Sequence, residues 1–473
     1  MTISTRKQLA LYVLLLQMFG ISALAQTEKT LFHMHGIPQS TGYNPAKQLD
    51  HKVSLSLPGI SSVYASIYQG GSYNKVVEKN RDNENIASIP GIIKAFKKNP
   101  QVTSSSSVDI LGVYINTKKV NFNVFVRERV ETFAKSPQAI LEVIQKGNTH
   151  VDYLGKTISI EPKMGFIHWR EFAVGGAYSL SEKLTLGANV KVLFGIGHIR
   201  TNLHSSIYTE NTDNYPVTFT SGGIAQTSGI INLIDDDIDA EDYFANFGNP
   251  GFAIDLGATY QLTDKIQLEA SILDIGRIQW KSNLQEFRLG DINGNDRTLT
   301  FDALNLATLV NEEQDSEAFE ALADSLEKVY TFIQKKDDGE EPSSYSTGLP
   351  VRTHLAMSYE LTKGFTTGAI FSAIYYKGVF QPGFGINIRK DISRWVGLAA
   401  SYSIYPHSYT NMGLGVNFNL GPVQLYAVSD QMISGAFGYR DSRSLSARVG
   451  LNLVFGHKMA IEKRKERNSL NGN

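Results

Sequence analysis

Phe252-Ala253-Ile254-Asp255-Leu256-Gly257-Ala258-Thr259-Tyr260-Gln261-Leu262 is the stretch that decides the fold. Phe252, Ile254, Leu256, Ala258, Tyr260 and Leu262 alternate with Ala253, Asp255, Gly257, Thr259 and Gln261. Successive side chains of an extended strand point to opposite faces, so one face here is apolar and the other polar. After the short turn Thr263-Asp264-Lys265, Ile266, Leu268, Ala270 and Ile272 resume the pattern against Gln267, Glu269 and Ser271. The same period of two runs through 170–180, 184–194 and 445–455.

The polar face carries Gly, Asn and Thr with scattered charges, among them Lys191, Asp255, Glu269, Arg352 and Arg448. These five are expected to face the lumen of a barrel. A soluble antiparallel sheet with one wet face shows the same alternation. Three features favour a membrane barrel. The runs are about 10–12 residues, close to the ~9–11 a tilted strand needs to cross a bilayer. Their apolar faces stay apolar throughout. And a tyrosine recurs just before a short turn: Tyr178 before Ser181-Glu182-Lys183, Tyr260 before Thr263-Asp264-Lys265, Tyr359 before Thr362-Lys363-Gly364. Tyr178, Tyr260 and Tyr359 are thus expected to form part of an interfacial aromatic girdle.

Short turns also fall near Thr117-Lys118-Lys119, 390–393 and Leu420-Gly421-Pro422. Longer connections lie between them, at about 69–106, 134–168, 199–250 and 283–350, with shorter ones near 377, 407 and 430–444. Alternating tight turns and long loops is the asymmetry of outer-membrane barrels. Counting from a first strand near 51–68 predicts an all-β, transmembrane antiparallel barrel of about 14 strands, with both termini in the periplasm. Two helical insertions are expected in the outer loops: 316–336, with Phe319, Leu322, Leu326, Tyr330 and Ile333 on one face, and a weaker one over Pro137 to Gln145. They either pack over the mouth or form a lid or partner surface.

The first 25 residues read as a secretory signal: Arg6-Lys7, an apolar run from Leu9 to Ile21, then Ala23-Leu24-Ala25. The alternative is an N-terminal anchor. The expected organisation is a signal over 1–25, an N-terminal hatch over 26–50, a barrel over 51–455 and a polar periplasmic tail over 456–473. The hatch expectation rests on Gly36, Pro38, Gly42 and Pro45, which make compact turns, and on Asn44-Pro45-Ala46 as its anchor. The location implied is the outer membrane of a Gram-negative bacterium.

Composition narrows the chemistry. The 473 residues hold no cysteine, which excludes disulfides, thiolate metal sites and cysteine nucleophiles. The formal net charge of −1 provides no field for nucleic acid. No phosphate-binding loop, HExxH or G-x-S-x-G occurs, so neither an enzyme nor a cofactor is expected. His33-Met34-His35 lacks a nearby carboxylate set for a metal. The acidic run Asp235, Asp236, Asp237, Asp239, Glu241 and Asp242 could take calcium through oxygen ligands, or be a solvated loop.

The hairpin from Leu256 to Lys265, with Leu273-Asp274-Ile275-Gly276 after it, resembles FadL/PorV-type outer-membrane barrels. Asn44-Pro45-Ala46 resembles the tripeptide of their N-terminal hatch. Ile37-Pro38-Gln39-Ser40 through Leu57-Pro58-Gly59-Ile60-Ser61-Ser62 is similar to an uncharacterised exported barrel family of unknown function. The FadL resemblance implies 14 strands, a small plug and uptake of hydrophobic solutes. The PorV resemblance implies a non-conducting shuttle of protein secretion. The implied partners are outer-membrane lipids with either a hydrophobic small-molecule ligand or secretion and assembly proteins; no substrate-binding residue carries over.

Overall fold

Alternating side chains need a surface that separates two environments, and the chain provides one by closing a sheet on itself. A computed structural model describes residues 28–69, 77–79, 85–87, 91, 101–117, 119–135, 137–161, 163–230, 243–290, 295–301, 332–334, 342–406, 408–432 and 444–457. Fourteen antiparallel strands form the wall: β1 (Val53–Ser56 and Val63–Gln69), β2 (Gln101–Asn116), β3 (Val120–Lys135), β4 (Lys163–Ser179), β5 (Leu184–Thr209), β6 (Asn249–Gln261), β7 (Ile266–Trp280), β8 (Val351–Thr362), β9 (Phe365–Tyr376), β10 (Val379–Asp391), β11 (Val396–Tyr405), β12 (Ser408–Leu420), β13 (Val423–Ser429) and β14 (Ser444–Phe455). Each pairs with the next, and β14 returns to both parts of β1, with Val53 opposite Phe455 and Val63 opposite Val449. That last pairing closes the barrel and leaves the wall without an edge.

The outer face is apolar. Leu186, Val190, Leu256, Leu268, Met357, Ile386, Leu414 and Val449 are exposed on it, while the residues between them point inward and are buried. Tyr178, Tyr260 and Tyr359 lie on this outer face near the short-turn ends of β4, β6 and β8. β1 is interrupted where Pro58 lacks a ladder donor and Gly59 takes φ +71°.

Several strands exceed the expected length. β5 runs for 26 residues, and its last third leaves the wall. There it pairs with Thr157–Ile160 on one side and Val217–Ser228 on the other, which in turn pairs with Arg297–Phe301. The expected loop 199–250 therefore contains a hairpin of a rim sheet, which Leu284–Leu289 extends beside Gly223–Ser228. One face of that sheet is apolar (Ile158, Ile160, Ile207, Val217 and Phe219) and packs with Val143 of α2 (Gln138–Lys146), the helix expected over 137–145.

Two expectations need correction. Phe332–Gln334 is a short strand beside Phe287–Leu289, so a helix does not extend through 336. The described chain also does not start at the short-turn end: Glu28 and Lys29 lie inside the lumen near the opposite end, beside Asp430 and Arg448. The signal segment, the acidic run 235–242, residues 316–331 and the tail from 458 lie outside the described residues.

Candidate functional site: a layered lumen

The inward positions of β5 show how the lumen is built. From the short-turn end they are Thr185, Gly187, Asn189, Lys191, Leu193 and Gly195, and three layers meet them in that order.

The first layer is a segment of the chain itself. Residues 28–50 enter the lumen as α1 (Lys29–Phe32), a 3-10 turn (Pro38–Tyr43) and an Asx-type turn in which the Ala46 N–H donates to Asn44 Oδ1 at 2.9 Å. Asn44 Nδ2 donates to Glu269 Oε2 at 3.1 Å and to the Ala258 carbonyl at 3.2 Å. Pro45 and Ala46 lie against β5 and β6 where both strands carry inward glycines. A Cβ on Gly187 would stand 2.5 Å from the Ala46 nitrogen, and one on Gly257 2.1 Å from Asn44 Oδ1. The segment is then tied along its length. The Lys29 and Thr30 N–H groups donate to the Asp430 carboxylate, each at 2.9 Å. Arg448 binds Glu28 through Nε at 2.8 Å and Nη2 at 2.6 Å. Gln39 Nε2 donates to Asn452 Oδ1 at 2.9 Å, Lys47 stands 3.7 Å from Glu269, and Asp50 pairs with Arg389 at 2.5 Å. His33 meets Ser358 and His35 approaches Glu269, so the two histidines diverge.

The second layer is a buried ion network centred on Asp274. Lys191 bonds Asp274 at 2.7 Å and Asp255 at 2.8 Å; Arg129 and Arg352 reach the other Asp274 oxygen at 2.8 and 2.5 Å. Arg352 also pairs with Glu131, and Arg127 with Asp109 at 2.5 Å. Buried charges persist only when paired, and here each carboxylate answers a cation from another strand. The polar cavity between this network, Gly42 and Tyr43 has a volume of about 50 Å³, room for no more than a few waters.

The third layer is apolar. Ile167, Trp169, Leu193, Ala253, Ile278, Trp280 and Leu349 form one buried cluster inside the wall. Trp280 fits because Gly195 opposite it has no side chain: a Cβ there would lie 2.4 Å from the ring. Trp280 Nε1 donates to Thr347 at 2.7 Å, and His198 stacks on the ring at 4.7 Å. The Arg129 guanidinium lies 4.8 Å over Trp169, joining this layer to the ions below. At the mouth, in the β9–β10 hairpin, burial and then the Arg200 charge lower the Lys377 ammonium to about 8.

The five charges singled out in the sequence thus divide. Glu269 and Arg448 hold the inserted segment; Lys191, Asp255 and Arg352 share Asp274. Asp274 itself escaped sequence reasoning, as did Arg127, Arg129, Glu131 and Glu28. Leu273 and Asp274 both point inward at a bulge, with Asp274 at φ +62°, so counting by twos loses phase there.

A family model described as "Family of unknown function (DUF5723)" matches residues 45–430. No curated protein matches the chain. Among solved structures, the toluene transporter TbuX of Ralstonia pickettii is similar at 9% identity and a TM-score of 0.41, covering 88% of this chain and 94% of that one. The toluene transporter TodX of Pseudomonas putida is similar at 10% identity and a TM-score of 0.39, covering 92% and 95%. A Pseudomonas aeruginosa FadL homologue is similar at 10% identity and a TM-score of 0.41, covering 93% and 100%.

Proposed function

This chain belongs to the DUF5723 family of unknown function, and from that premise we propose that it is an outer-membrane barrel of a Gram-negative bacterium that takes a small apolar solute into the long-loop half of its lumen and passes it when the inserted segment moves. Lipids of the outer membrane cover the apolar wall, with Tyr178, Tyr260 and Tyr359 at the periplasmic interface. The observation that carries the reading is the tryptophan layer. A barrel lumen that only held water would be polar on every inward position. This one buries two indoles and five aliphatic side chains in the half nearest the long connections. An apolar solute gains there the burial it loses in water, about 25 cal/mol per Å². The ion network and the hatch Asn44-Pro45-Ala46 then bar its way until the hatch is displaced.

The test is a pair of measurements on the purified protein. With Trp395→Phe, the remaining tryptophans are Trp169 and Trp280, and toluene should quench or shift their emission saturably. Deleting residues 31–46 should raise small-solute leakage from proteoliposomes while the barrel still folds. No emission response together with unchanged permeability would remove the reading. A second reading, a non-conducting accessory barrel of a secretion or assembly machine, is favoured by the small volume left between the inserted segment and the ions. It requires a protein partner at fixed stoichiometry in native purification, and no leak after the deletion.

A further inference from the structure

The inserted segment is tied to the wall by polar contacts, yet two imidazoles at that junction each keep a bare nitrogen. His33, just after α1, is 3% exposed. Its Nδ1 meets Ser358 Oγ at 3.3 Å, and its Nε2 is buried with no hydrogen-bond partner. The ring lies against β9 where Gly368 withdraws: a Cβ there would stand 2.9 Å from Cε1. His354 of β8 repeats the arrangement from the wall. It is 1% exposed, its Nδ1 meets Ser271 Oγ at 3.2 Å, and its Nε2 is likewise buried and unpartnered. Phe32 of the segment packs on both imidazoles, at 5.1 and 5.6 Å, and Tyr43 meets His354 at 5.7 Å. The charged and titratable groups facing His33 are Lys47 and His35 of the segment and Arg389 of β10. Those facing His354 are Lys47 and Lys29 of the segment and Asp274 of β7. The carboxylates nearby are engaged elsewhere: Glu269 with Lys47, Asp50 with Arg389, Asp274 with Lys191, Arg129 and Arg352.

An imidazolium brings two N–H donors and a charge. At both histidines the second donor would have no acceptor, and the new charge would face the Lys47 ammonium. A neutral nitrogen left bare in such a place costs far less than a buried, unpaired cation. We propose that acid releases the inserted segment from the lumen, with His33 and His354 as its two triggers. Burial, and after it the Lys47 charge, hold the His33 imidazole well below its ordinary value. Once the segment is out, His33 is in water and returns to about 6.5. His354 stays in the wall but exchanges Phe32 and Tyr43 for water. The released state therefore binds more protons, so the hold is full above about pH 6.5 and weakens as pH falls below it. Each histidine contributes a factor approaching about tenfold per pH unit. Burial also lowers Lys29 to about 7 and Lys47 to about 8, each partly restored by a carboxylate, Asp430 and Glu269. In acid both lysines are charged whether the segment is in or out, so they set the strength of the hold and not its slope.

The chain has no cysteine, so one placed at Ser40, a buried residue of the 3-10 turn, reports exposure of the segment. Full-length, detergent-folded Ser40→Cys protein is labelled with 4,4′-dithiodipyridine across the acid range. Each rate is divided by that of the urea-unfolded chain at the same pH. Between about pH 7.5 and about pH 5.5 this ratio should rise about hundredfold more than in the His33→Asn/His354→Asn double variant, whose amides keep the serine bonds but take no proton. Each single variant should retain about tenfold. Heat-dependent gel migration shows which variants are folded; if the double variant is not, the single variants decide against their parent. A rise no larger than that of the folded variants would overturn the proposal. So would a rise confined to about pH 4, the ordinary carboxylate range, or loss of the compact band of the parent at about pH 5.5, since the whole barrel would then be opening. The inference rests on the proposed function only in taking the segment to move, and the two fail separately. Acid labelling without acid leakage from proteoliposomes keeps the release and removes the passage of solute. Leakage after deletion of residues 31–46 with flat labelling removes the release and keeps the passage.

Discussion

The two halves of the lumen share the same wall and are closed by different means. Near the short turns, Gly187 and Gly257 withdraw so that a separate piece of backbone can fill the space. Near the long connections, Gly195 withdraws so that a wall side chain, Trp280, can fill it. One half is filled by a separate segment of backbone, held by hydrogen bonds and ion pairs. The other is sealed by side chains that can turn but not leave. The lesson is that a filled lumen is not one kind of closure: the lower seal responds to whatever breaks polar ties, the upper one to whatever competes for apolar contact.

The largest effect that would break this division comes from the layer between the halves. Asp274→Ala strips the shared carboxylate from Lys191, Arg129 and Arg352. Lys191 keeps Asp255, and Arg129 and Arg352 keep Glu131, so what is lost is three hydrogen bonds between charged groups, each worth about 1.5–3 kcal/mol. The variant should lose the compact, unheated gel band or unfold at a much lower temperature. Unchanged unfolding would mean that the network does not join the halves.

A smaller effect separates backbone from side chain. In Gly187→Ala the new Cβ meets the Pro45-Ala46 peptide, which cannot rotate away. Overpacking of this kind costs about 1–3 kcal/mol, and leakage should rise as the hatch is pushed out. Gly195→Ala meets ring atoms of Trp280 instead, so it should cost less and leave leakage unchanged. Equal leakage from the two would erase the distinction between the seals.

The smallest effect sharpens the upper half alone. Trp280→Phe keeps an aromatic ring but loses the 2.7 Å bond to Thr347 and some volume. A destabilisation of about 1–2 kcal/mol is expected, with toluene affinity changed and leakage unaltered. Thermal unfolding and proteoliposome leakage check the first and last of these, and saturation binding of toluene in the Trp395→Phe background, followed through Trp169, checks the affinity.

The wall was legible in the sequence because a closed sheet between two solvents enforces period two over every strand. Counting by twos from Leu184 is enough to put Lys191 inside and Leu186 outside. Three things were not legible, each for a physical reason. The bulge at Leu273-Asp274 shifts phase by one residue and hides the hub of the ion network. The inserted segment has no period: Gly36, Pro38 and Pro45 signal turns, but nothing local reveals that Glu28 will meet Arg448, 420 residues away. And the rim hairpin at Val217–Ser228, rich in glycine, threonine and serine, has the composition of a loop until β5 supplies its partner.

The inserted segment finally bears on how the molecule comes to exist. The seam between β1 and β14 joins the most distant parts of the wall, with Val53 opposite Phe455, and the entropy of bringing such distant ends together has to be met before any pairing rewards it. Gln39 sits astride that seam, donating to Ser56 on one side and to Asn452 on the other at 3.2 and 2.9 Å. A segment lying inside the cylinder and touching both lips of this joint is placed to serve as a mandrel, and if the sheet curls around it the joint closes on a surface that already fixes its register. Gln39→Ala should therefore slow the appearance of the compact band during refolding into detergent by more than it lowers the final unfolding temperature. An unchanged refolding rate would mean that closure comes first and the core is threaded afterwards.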